Sequence, residues 1–249
     1  IRDRSRPLAD DSHARAPATF MTCAQRVASA INAKPEELLA ALSGFILFLC
    51  LFSGYFMLRP IREAMGIVGG VDNLQWLFSA TFVLMLIAVP LFAWLNSHVP
   101  RERYIDWVYG FFILNLLGFA TLFSLIERDV WLARSFYVWL SVYNLFVVSV
   151  AWSLMSDVFD SEQAKRLFAF IAAGASCGGL LGPAFGALLI STLGESGLML
   201  CAAALLALAL LSKGYLMHWR AISGAGRPGA KHNENPQQPV LGDPFSGLT

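Results

Sequence analysis

The chain carries six uncharged apolar stretches, each near the length of a membrane-spanning helix. A helix needs about 20 apolar residues to cross the hydrocarbon core of a bilayer. Covering six such helices on every side within a soluble protein would require more chain than 249 residues supply. We therefore predict an all-α membrane protein with six transmembrane helices, at Leu38–Leu58, Leu74–Asn96, Trp107–Ile126, Ser135–Ser156, Leu167–Gly194 and Ser196–Ser212.

The scarcity of charge supports this class. Charged residues make up 14% of the chain and hydrophobic residues 57%, whereas a soluble domain has about 25% charged residues. The net charge of +1 provides no basic field for nucleic acid. The four cysteines are scattered, so neither a disulfide framework nor a metal site is predicted. Without a P-loop, a zinc pattern or a dinucleotide fingerprint, the sequence favours neither an enzyme nor a bound cofactor.

The distribution of lysine and arginine predicts the orientation of the helices, because cytoplasmic loops are enriched in both. With six spans, the two chain ends share one side with the second and fourth loops. From Met21 onward that side carries nine basic residues against three on the other. Both termini are therefore predicted to be cytoplasmic, in the cell (inner) membrane. The two sets are Arg26, Lys34, Arg101, Arg103, Lys165, Arg166, Arg220, Arg227 and Lys231 against Arg59, Arg62 and Arg128.

The ends of the chain differ in composition from its apolar centre. Residues 1–36 are polar and are predicted to form a cytoplasmic segment, with Met21 as an alternative start. Residues 37–219 hold the six-helix transmembrane domain. Residues 220–249 are rich in Gly, Pro, Asn and Gln, which is typical of a flexible linker. Because this tail has no closing element, we expect the chain to be a fragment.

A polar cluster follows the first apolar stretch. At 3.6 residues per turn, Tyr55, Arg59, Arg62 and Glu63 lie along one helix face. One interpretation is that basic residues snorkel at a helix end, with Arg59 and Glu63 paired across one turn. The other is a substrate site, since two arginines beside a tyrosine can bind an anion. Arg59 and Arg62 also lie on the predicted outer side, where basic residues are otherwise few. Their position there favours the substrate site.

Other polar residues lie among the apolar ones, where each is costly unless it has a partner. Asn115, Arg134 and Asn144 are candidates to line a solute-binding cavity between helices. For Arg134 the alternative is that it marks a helix end. Lys213 is expected to snorkel toward the membrane surface.

Small residues recur every four positions in the fifth stretch. They form a smooth stripe that allows another helix to approach closely, at Gly174, Gly178, Gly182 and Gly186. Pro183, within the stripe, removes a backbone hydrogen bond and bends the helix. The segment from Gly174 to Gly178 also has the G-x-S-x-G pattern of a serine nucleophile at Ser176. A rhomboid-like intramembrane serine protease, with His218 as the base, is therefore a remote alternative.

The loop between the second and third stretches resembles motif A of the major facilitator superfamily. Of the patterned positions, Arg101 is an outright match, and the set comprises Ala93, Ser97, His98, Pro100, Arg101 and Glu102. In that family the arginine often pairs with an acid at the end of the fourth helix. The resemblance therefore implies an Arg101–Asp157 latch that stabilises one access state. The Gly-Pro-x-x-Gly core from Gly182 to Gly186 resembles the fifth helix of antiporters in the same superfamily.

Residues 37–219 resemble the branch of this superfamily that contains the ATP:ADP antiporters (nucleotide translocases). The resemblance implies the amino-terminal half of a twelve-helix secondary transporter that works by alternating access. Its solute would be a small anion, such as a nucleotide or another phosphorylated metabolite, bound near Arg59, Arg62 and Glu63. The acid that translocases carry within the fourth helix is absent from Ser135–Ser156, which weakens nucleotide exchange in particular. The segments that carry the resemblance are Tyr55–Gly66, Val89–Phe92, Asn144–Asp157 and Ser161–Phe168.

A second class of function stays open at this point. The chain could be a complete six-helix protein that transports as a homodimer or serves as a membrane adaptor. In that case no second six-helix half would exist, and both halves of a binding site would come from copies of one chain.

Overall fold

The computed structural model describes residues 34, 36–70, 74–98, 101–126 and 129–223. Over these ranges the chain is helical and contains no strand, which confirms the all-α prediction for this part. The predicted segments at 1–36 and 220–249 lie almost entirely outside the described residues. The helices are α1 (Leu38–Val68), α2 (Leu74–His98), α3 (Arg101–Leu125), α4 (Val130–Val158) and α5 (Ser161–Ser223).

Four of these helices, α1, α3, α4 and α5, are long and apolar enough to cross a membrane. The apolar part of α2, Gln75–Leu91, is shorter. This part of the chain is therefore compatible with a membrane-embedded protein.

Two helices extend past the predicted apolar stretches. α1 continues through Pro60 to Val68, so Arg59, Arg62 and Glu63 lie within a continuous helix. α4 begins at Val130, where the Asp129 carboxylate accepts a hydrogen bond from the Leu132 N–H at 2.9 Å. Such a cap satisfies one of the free N–H groups at a helix start. Arg134 consequently lies in the first turns of α4, near a helix end as one interpretation expected.

α5 reverses direction at Gly194. A straight helix of 63 residues would be about 95 Å long at 1.5 Å per residue. Yet Gln163, near its start, donates to the Glu37 carboxylate at 3.0 Å, and Trp219, near its end, donates to the Glu36 carbonyl at 3.0 Å. Both ends of α5 therefore lie beside the start of α1. Gly194, with φ 66° and ψ −175°, is the non-helical residue that allows the chain to turn back.

Successive helices run in alternating directions. The end of α1 meets the start of α4, where Arg134 bonds to the Gly69 carbonyl, so these two helices are antiparallel. The start of α2 lies at the same place, since the Phe78 and Tyr137 rings are 6.3 Å apart. We name this the Arg134 end of the bundle and the opposite one the Glu37 end. The start of α1 and the last turns of α5 both lie at the Glu37 end.

Aromatic rings join α3 to α4. Phe112 packs edge-on against Tyr143, with ring centroids 5.2 Å apart, and Phe119 packs against Phe136 at 5.3 Å. Tyr143 and Phe136 are fully buried. Because lipid tails are as apolar as these side chains, close packing rather than the hydrophobic effect holds membrane helices together.

The glycine stripe of α5 packs directly on another helix, as the sequence predicted, and that helix is α1. A Cβ on Gly178 would lie 2.6 Å from the Leu49 carbonyl oxygen, and one on Gly182 would lie 2.6 Å from the Ser53 carbonyl oxygen. Atoms that close would overlap, so only glycine allows the two backbones this approach. At its far end the stripe meets Met57, where a Cβ on Gly186 would have ordinary contacts of 3.4–3.6 Å. Glycines later in α5 contact residues later in α1, so α1 and the first segment of α5 run parallel.

Candidate functional site

The end of α1 presents two arginines in different environments. Arg59 is exposed and lies over the Phe56 ring at 5.8 Å. Arg62 is only 16% exposed in its side chain and donates to the Glu63 carboxylate at 3.2 Å. The expected pairing of Arg59 with Glu63 across one turn is therefore wrong, because the neighbouring Arg62 takes the carboxylate. Within the described residues, Arg59 has no carboxylate partner.

The Arg62 guanidinium also stacks on an aromatic ring of α4. Its Cζ lies 4.3 Å from the centroid of Tyr137, which is buried. Such a cation–π contact is favourable by about 2 kcal/mol when the pair is desolvated. The Nε of Arg62 is buried without a hydrogen-bond partner in the described part of the chain. Arg62 is thus held in place by the Tyr137 ring and the Glu63 carboxylate, with its Nε buried below the surface. Tyr55, two turns earlier, packs on the core and on the Phe56 ring.

Arg134 closes the end of α1. Its Nε and Nη2 donate to the Gly69 carbonyl oxygen at 3.0 and 2.8 Å, and its Cζ lies 5.1 Å from the Trp131 ring centroid. The last carbonyls of a helix have no partner within the helix, and a cation there also complements the helix dipole. Arg134 therefore holds α1 to α4, a role that differs from the solute contact predicted for it.

The two asparagines are dispersed. Asn115 donates to the carbonyl of Phe111, one turn earlier in the same helix, at 2.8 Å. Asn144 is half-buried in the middle of α4. Among the described residues, no hydrogen bond joins either asparagine to the arginines of α1. The predicted contact of the two asparagines with a solute stays a prediction.

A large cavity does exist, but its lining is apolar. It has a volume of about 1140 Å³ and lies between α2, α3 and α4. Of the seven predicted substrate residues, Arg134 alone lines it. The other lining residues are dominated by aromatic and aliphatic side chains, including Trp76, Trp107, Trp131 and Trp139. A phosphorylated solute enclosed among these apolar side chains would lose its hydration, and the single cation of the lining, Arg134, lies at one end. The apolar interior of this cavity therefore does not suit the solute that the sequence predicted.

A polar cluster at the Glu37 end was not predicted. The Glu37 side chain is 5% exposed, yet it accepts hydrogen bonds from the Lys34 N–H at 3.1 Å, Gln163 at 3.0 Å and Arg166 at 3.2 Å. Burial by itself raises the pKa of this carboxyl group, but the three hydrogen bonds and the charge of Arg166 outweigh it and lower the pKa below its ordinary value. The sequence held a signal for this pair: Glu37 directly precedes the first apolar stretch, and Arg166 directly precedes the fifth.

An ion pair between α3 and the second segment of α5 was also missed. The Lys213 ammonium lies 2.9 and 3.0 Å from the two carboxylate oxygens of Asp106. The Lys213 side chain is only 7% exposed. Its predicted snorkelling to the surface is therefore wrong, since it reaches across to another helix instead.

The predicted Arg101–Asp157 latch stays a prediction. α3 begins at Arg101, but the side chain of that residue lies outside the described set. Asp157 is half-buried in the last turn of α4. The starts of odd-numbered helices and the ends of even-numbered ones share the Glu37 end, so the two backbones lie at the same end of the bundle.

Ser176 and His218 do not form a nucleophile–base pair. His218 lies beside Trp219 at the Glu37 end, at the depth of Gln163. Ser176 is thirteen residues beyond Gln163 along α5, which is about 20 Å at the helical rise. A histidine base must lie within hydrogen-bond distance, about 3 Å, of the serine hydroxyl to take its proton. His218 is therefore too far from Ser176 to act as its base.

No protein-family model, no curated protein and no solved structure matches this chain. The inference of function therefore depends on the helices and side chains described above.

Proposed function

We propose that this chain is part of a secondary membrane transporter of the major facilitator type that moves a small anionic solute. The observation that supports this most is Arg59, an exposed cation at the end of a long apolar helix without a carboxylate partner among the described residues. An arginine that none of the described acids neutralises is available to an incoming anion. Arg62, one turn further on and 16% exposed, adds a second guanidinium to the same part of α1.

The proposed topology has six spans. The two segments of α5, on either side of Gly194, count as separate spans because each has about the length that a bilayer requires. α2 supplies the sixth: its apolar segment Gln75–Leu91 is shorter, but the whole helix has 25 residues, and about 20 are enough to cross a bilayer. With six alternating spans the Glu37 end would carry both ends of the domain and is assigned to the cytoplasm. Single cysteines engineered next to Lys165 or next to Glu195 test this orientation in intact cells, with a maleimide that cannot cross the membrane. We expect labelling next to Glu195 only. Labelling next to Lys165 instead would contradict the orientation.

Transport by alternating access requires helices that move as rigid bodies. The close glycine contact between α1 and α5 makes these two helices one unit. The anion would then bind at the Arg134 end of α1, and movement of that unit would change its access. In a transporter of the major facilitator type, a second six-helix half supplies the other side of the binding site.

Uptake into proteoliposomes tests the proposal. The probes are radiolabelled inorganic phosphate, ADP and ATP, each offered to the reconstituted protein. Arg59→Ala and Arg62→Ala should each lower the apparent affinity for a transported probe roughly tenfold to a hundredfold, as loss of a charge-assisted hydrogen bond of about 1.5–3 kcal/mol implies.

The matched control is Arg103→Ala, which removes an exposed arginine at the opposite end of the bundle. Its uptake should equal that of the unmodified chain. Unchanged uptake in Arg59→Ala combined with Arg62→Ala would refute the anion site. The protein should be reconstituted together with any second half that its gene encodes. If it then transports none of the probes, the assignment of a small anionic solute is refuted.

A further inference from the structure

We propose that the cavity between α2, α3 and α4 binds a phospholipid with an anionic headgroup, whose phosphate contacts Arg134 and whose acyl chains lie along α4. This inference does not depend on the transport proposal. It concerns a cavity from which Arg59 and Arg62, the residues of the proposed solute site, are absent.

The length of the cavity fits a lipid chain. Its lining runs from Trp76 to Leu91 on α2 and from Trp131 to Phe146 on α4. Each of these ranges covers fifteen helical steps, or about 22 Å. One leaflet of a bilayer contributes about half of a hydrocarbon core that is roughly 30 Å thick. The cavity is therefore long enough for an acyl chain together with the glycerol region above it.

The polarity of the cavity changes along this length. At the Arg134 end the lining includes Arg134, Ser135, Trp76 and Trp131, and the Arg134 guanidinium lies 5.1 Å from the Trp131 ring centroid. Further along α4 the lining residues are Val138, Val142 and Phe146. A cation in contact with an indole, followed by an apolar slot, matches a molecule with an anionic head and a hydrocarbon tail. Indoles also prefer the headgroup level of a bilayer.

Arg134 retains donors for this headgroup. A guanidinium has five N–H donors in a fixed plane. The Gly69 carbonyl accepts one from Nε and one from Nη2, so three are unused by that carbonyl. A phosphate offers the multiple acceptor oxygens that such a group binds best. The protein contact also fixes the guanidinium in place, which lowers the entropy cost of binding.

The surrounding bilayer is the source of the ligand because the helix that forms one side of the cavity is itself exposed to it. On α2, Trp76, Phe82 and Leu86 are all more than half exposed. A lipid from the leaflet at the Arg134 end can therefore enter beside α2 without crossing water.

Photo-crosslinking tests the proposal with the full chain in vesicles. The probe is phosphatidylglycerol carrying a diazirine in one acyl chain, present as a minor component in phosphatidylcholine. We expect several-fold more crosslinking to the cavity residues Leu84, Val138 and Val142 than to the exposed outer face of α5 at Leu180 and Leu188. Equal labelling of both surfaces would show ordinary boundary lipid only and would overturn the proposal.

Two variants separate the contributions of shape and charge. Ala80→Trp places an indole in the cavity lining and should lower cavity labelling several-fold, whereas Ala187→Trp on the exposed face of α5 should leave it unchanged. Arg134→Lys keeps the charge but loses the planar donors, and Arg134→Gln loses both. We expect cavity labelling to fall from Arg to Lys to Gln, with labelling of Leu188 constant as evidence of a folded protein.

Competition identifies the ligand class. Replacing part of the phosphatidylcholine with unlabelled phosphatidylglycerol should lower cavity labelling several-fold more than the same fraction of phosphatidylethanolamine, and more than palmitate. An equal effect of phosphatidylethanolamine, which carries no net charge, would refute the anionic headgroup. Preferential displacement by palmitate would show that the cavity binds a free fatty acid and would overturn the phospholipid assignment.

Discussion

Arg134 donates two hydrogen bonds to the Gly69 carbonyl oxygen, from Nε at 3.0 Å and from Nη2 at 2.8 Å, and so joins α4 to the end of α1. The contact bridges 65 residues of sequence. It satisfies the terminal carbonyl of a buried residue, which the helix itself leaves without a partner. The geometry explains why an arginine is tolerated in the first turns of an apolar helix.

Replacing Arg134 should destabilise the bundle. Arg134→Ala removes hydrogen bonds from a charged donor, which contribute about 1.5–3 kcal/mol, and leaves the Gly69 carbonyl unsatisfied. The free energy of unfolding, measured by SDS titration in mixed micelles, should fall by that amount. Arg103→Ala, which removes an exposed arginine, should change it by less than about 0.5 kcal/mol. Equal effects from the two variants would contradict a specific role for the Gly69 contact.

The glycine contact between α1 and α5 predicts a steric effect. Gly178→Ala would place a methyl group 2.6 Å from the Leu49 carbonyl oxygen and 2.9 Å from the Ser53 nitrogen. Because both neighbours are backbone atoms, the helices must separate, and we expect a loss of about 1–3 kcal/mol in the free energy of unfolding.

Gly118→Ala is the matched control for that substitution. This glycine also lies inside an apolar helix, but a Cβ there would meet no atom within 4 Å. Alanine should then stabilise the helix by roughly 0.5–1 kcal/mol, because it loses less backbone entropy on folding. The same SDS titration gives both values, and a loss of stability in Gly118→Ala as large as in Gly178→Ala would exclude the steric explanation.

The apolar helices and the glycine contact could be predicted because each depends on one segment of sequence. In lipid every backbone polar group must be satisfied within the helix, so a long uncharged stretch indicates a helix almost regardless of its neighbours. Small residues at a spacing of four likewise form a stripe on any helix. The helix ends were missed because Arg59, Arg62 and Arg134 continue helices beyond their apolar parts.

The side-chain pairs could not be predicted, since they depend on which helices lie together. Lys213 and Asp106 are 107 residues apart, and Arg166 and Glu37 are 129 apart. No periodicity within one helix specifies such partners. Arg59 and Arg62 could be placed on one helix, but the contact of Arg62 with the Tyr137 ring of α4 depends on how the helices pack.

The Glu37 cluster predicts an acid-sensitive contribution to stability. The pKa of Glu37 lies below its ordinary value of 4.5. A group with a lowered pKa stabilises the folded state fully above the ordinary value, and this contribution is lost as the pH falls through the lowered pKa. At neutral pH, Glu37→Gln should therefore unfold at a lower temperature than the unmodified chain, and the difference should shrink as the pH is brought below 4.5.

Thermal unfolding in detergent at several pH values measures this difference. The control is Glu36→Gln, because the Glu36 side chain is exposed and only its backbone carbonyl is used, by Trp219. A Glu36→Gln curve should follow that of the unmodified chain at every pH. A difference for Glu37→Gln that stays constant down to low pH would mean that the hydrogen bonds to its carboxylate do not depend on its charge.

The Lys213–Asp106 pair predicts unequal costs for its two partners. Lys213 is buried whereas Asp106 is half exposed, at 7% and 56% of their side chains. Asp106→Asn weakens the compensation of a buried ammonium, which should cost about 1–3 kcal/mol of unfolding free energy. Lys213→Met leaves a carboxylate that water can still reach, so it should cost less.

Combining Asp106→Asn with Lys213→Met should restore part of the first loss, with a coupling energy of about 0.5–3 kcal/mol. SDS titration of the three variants measures this cycle, with Asp160→Asn, an exposed acid at the same end, as the control. Strictly additive losses would mean that the two side chains contribute independently, and the buried ammonium would then owe its stability to other groups around it.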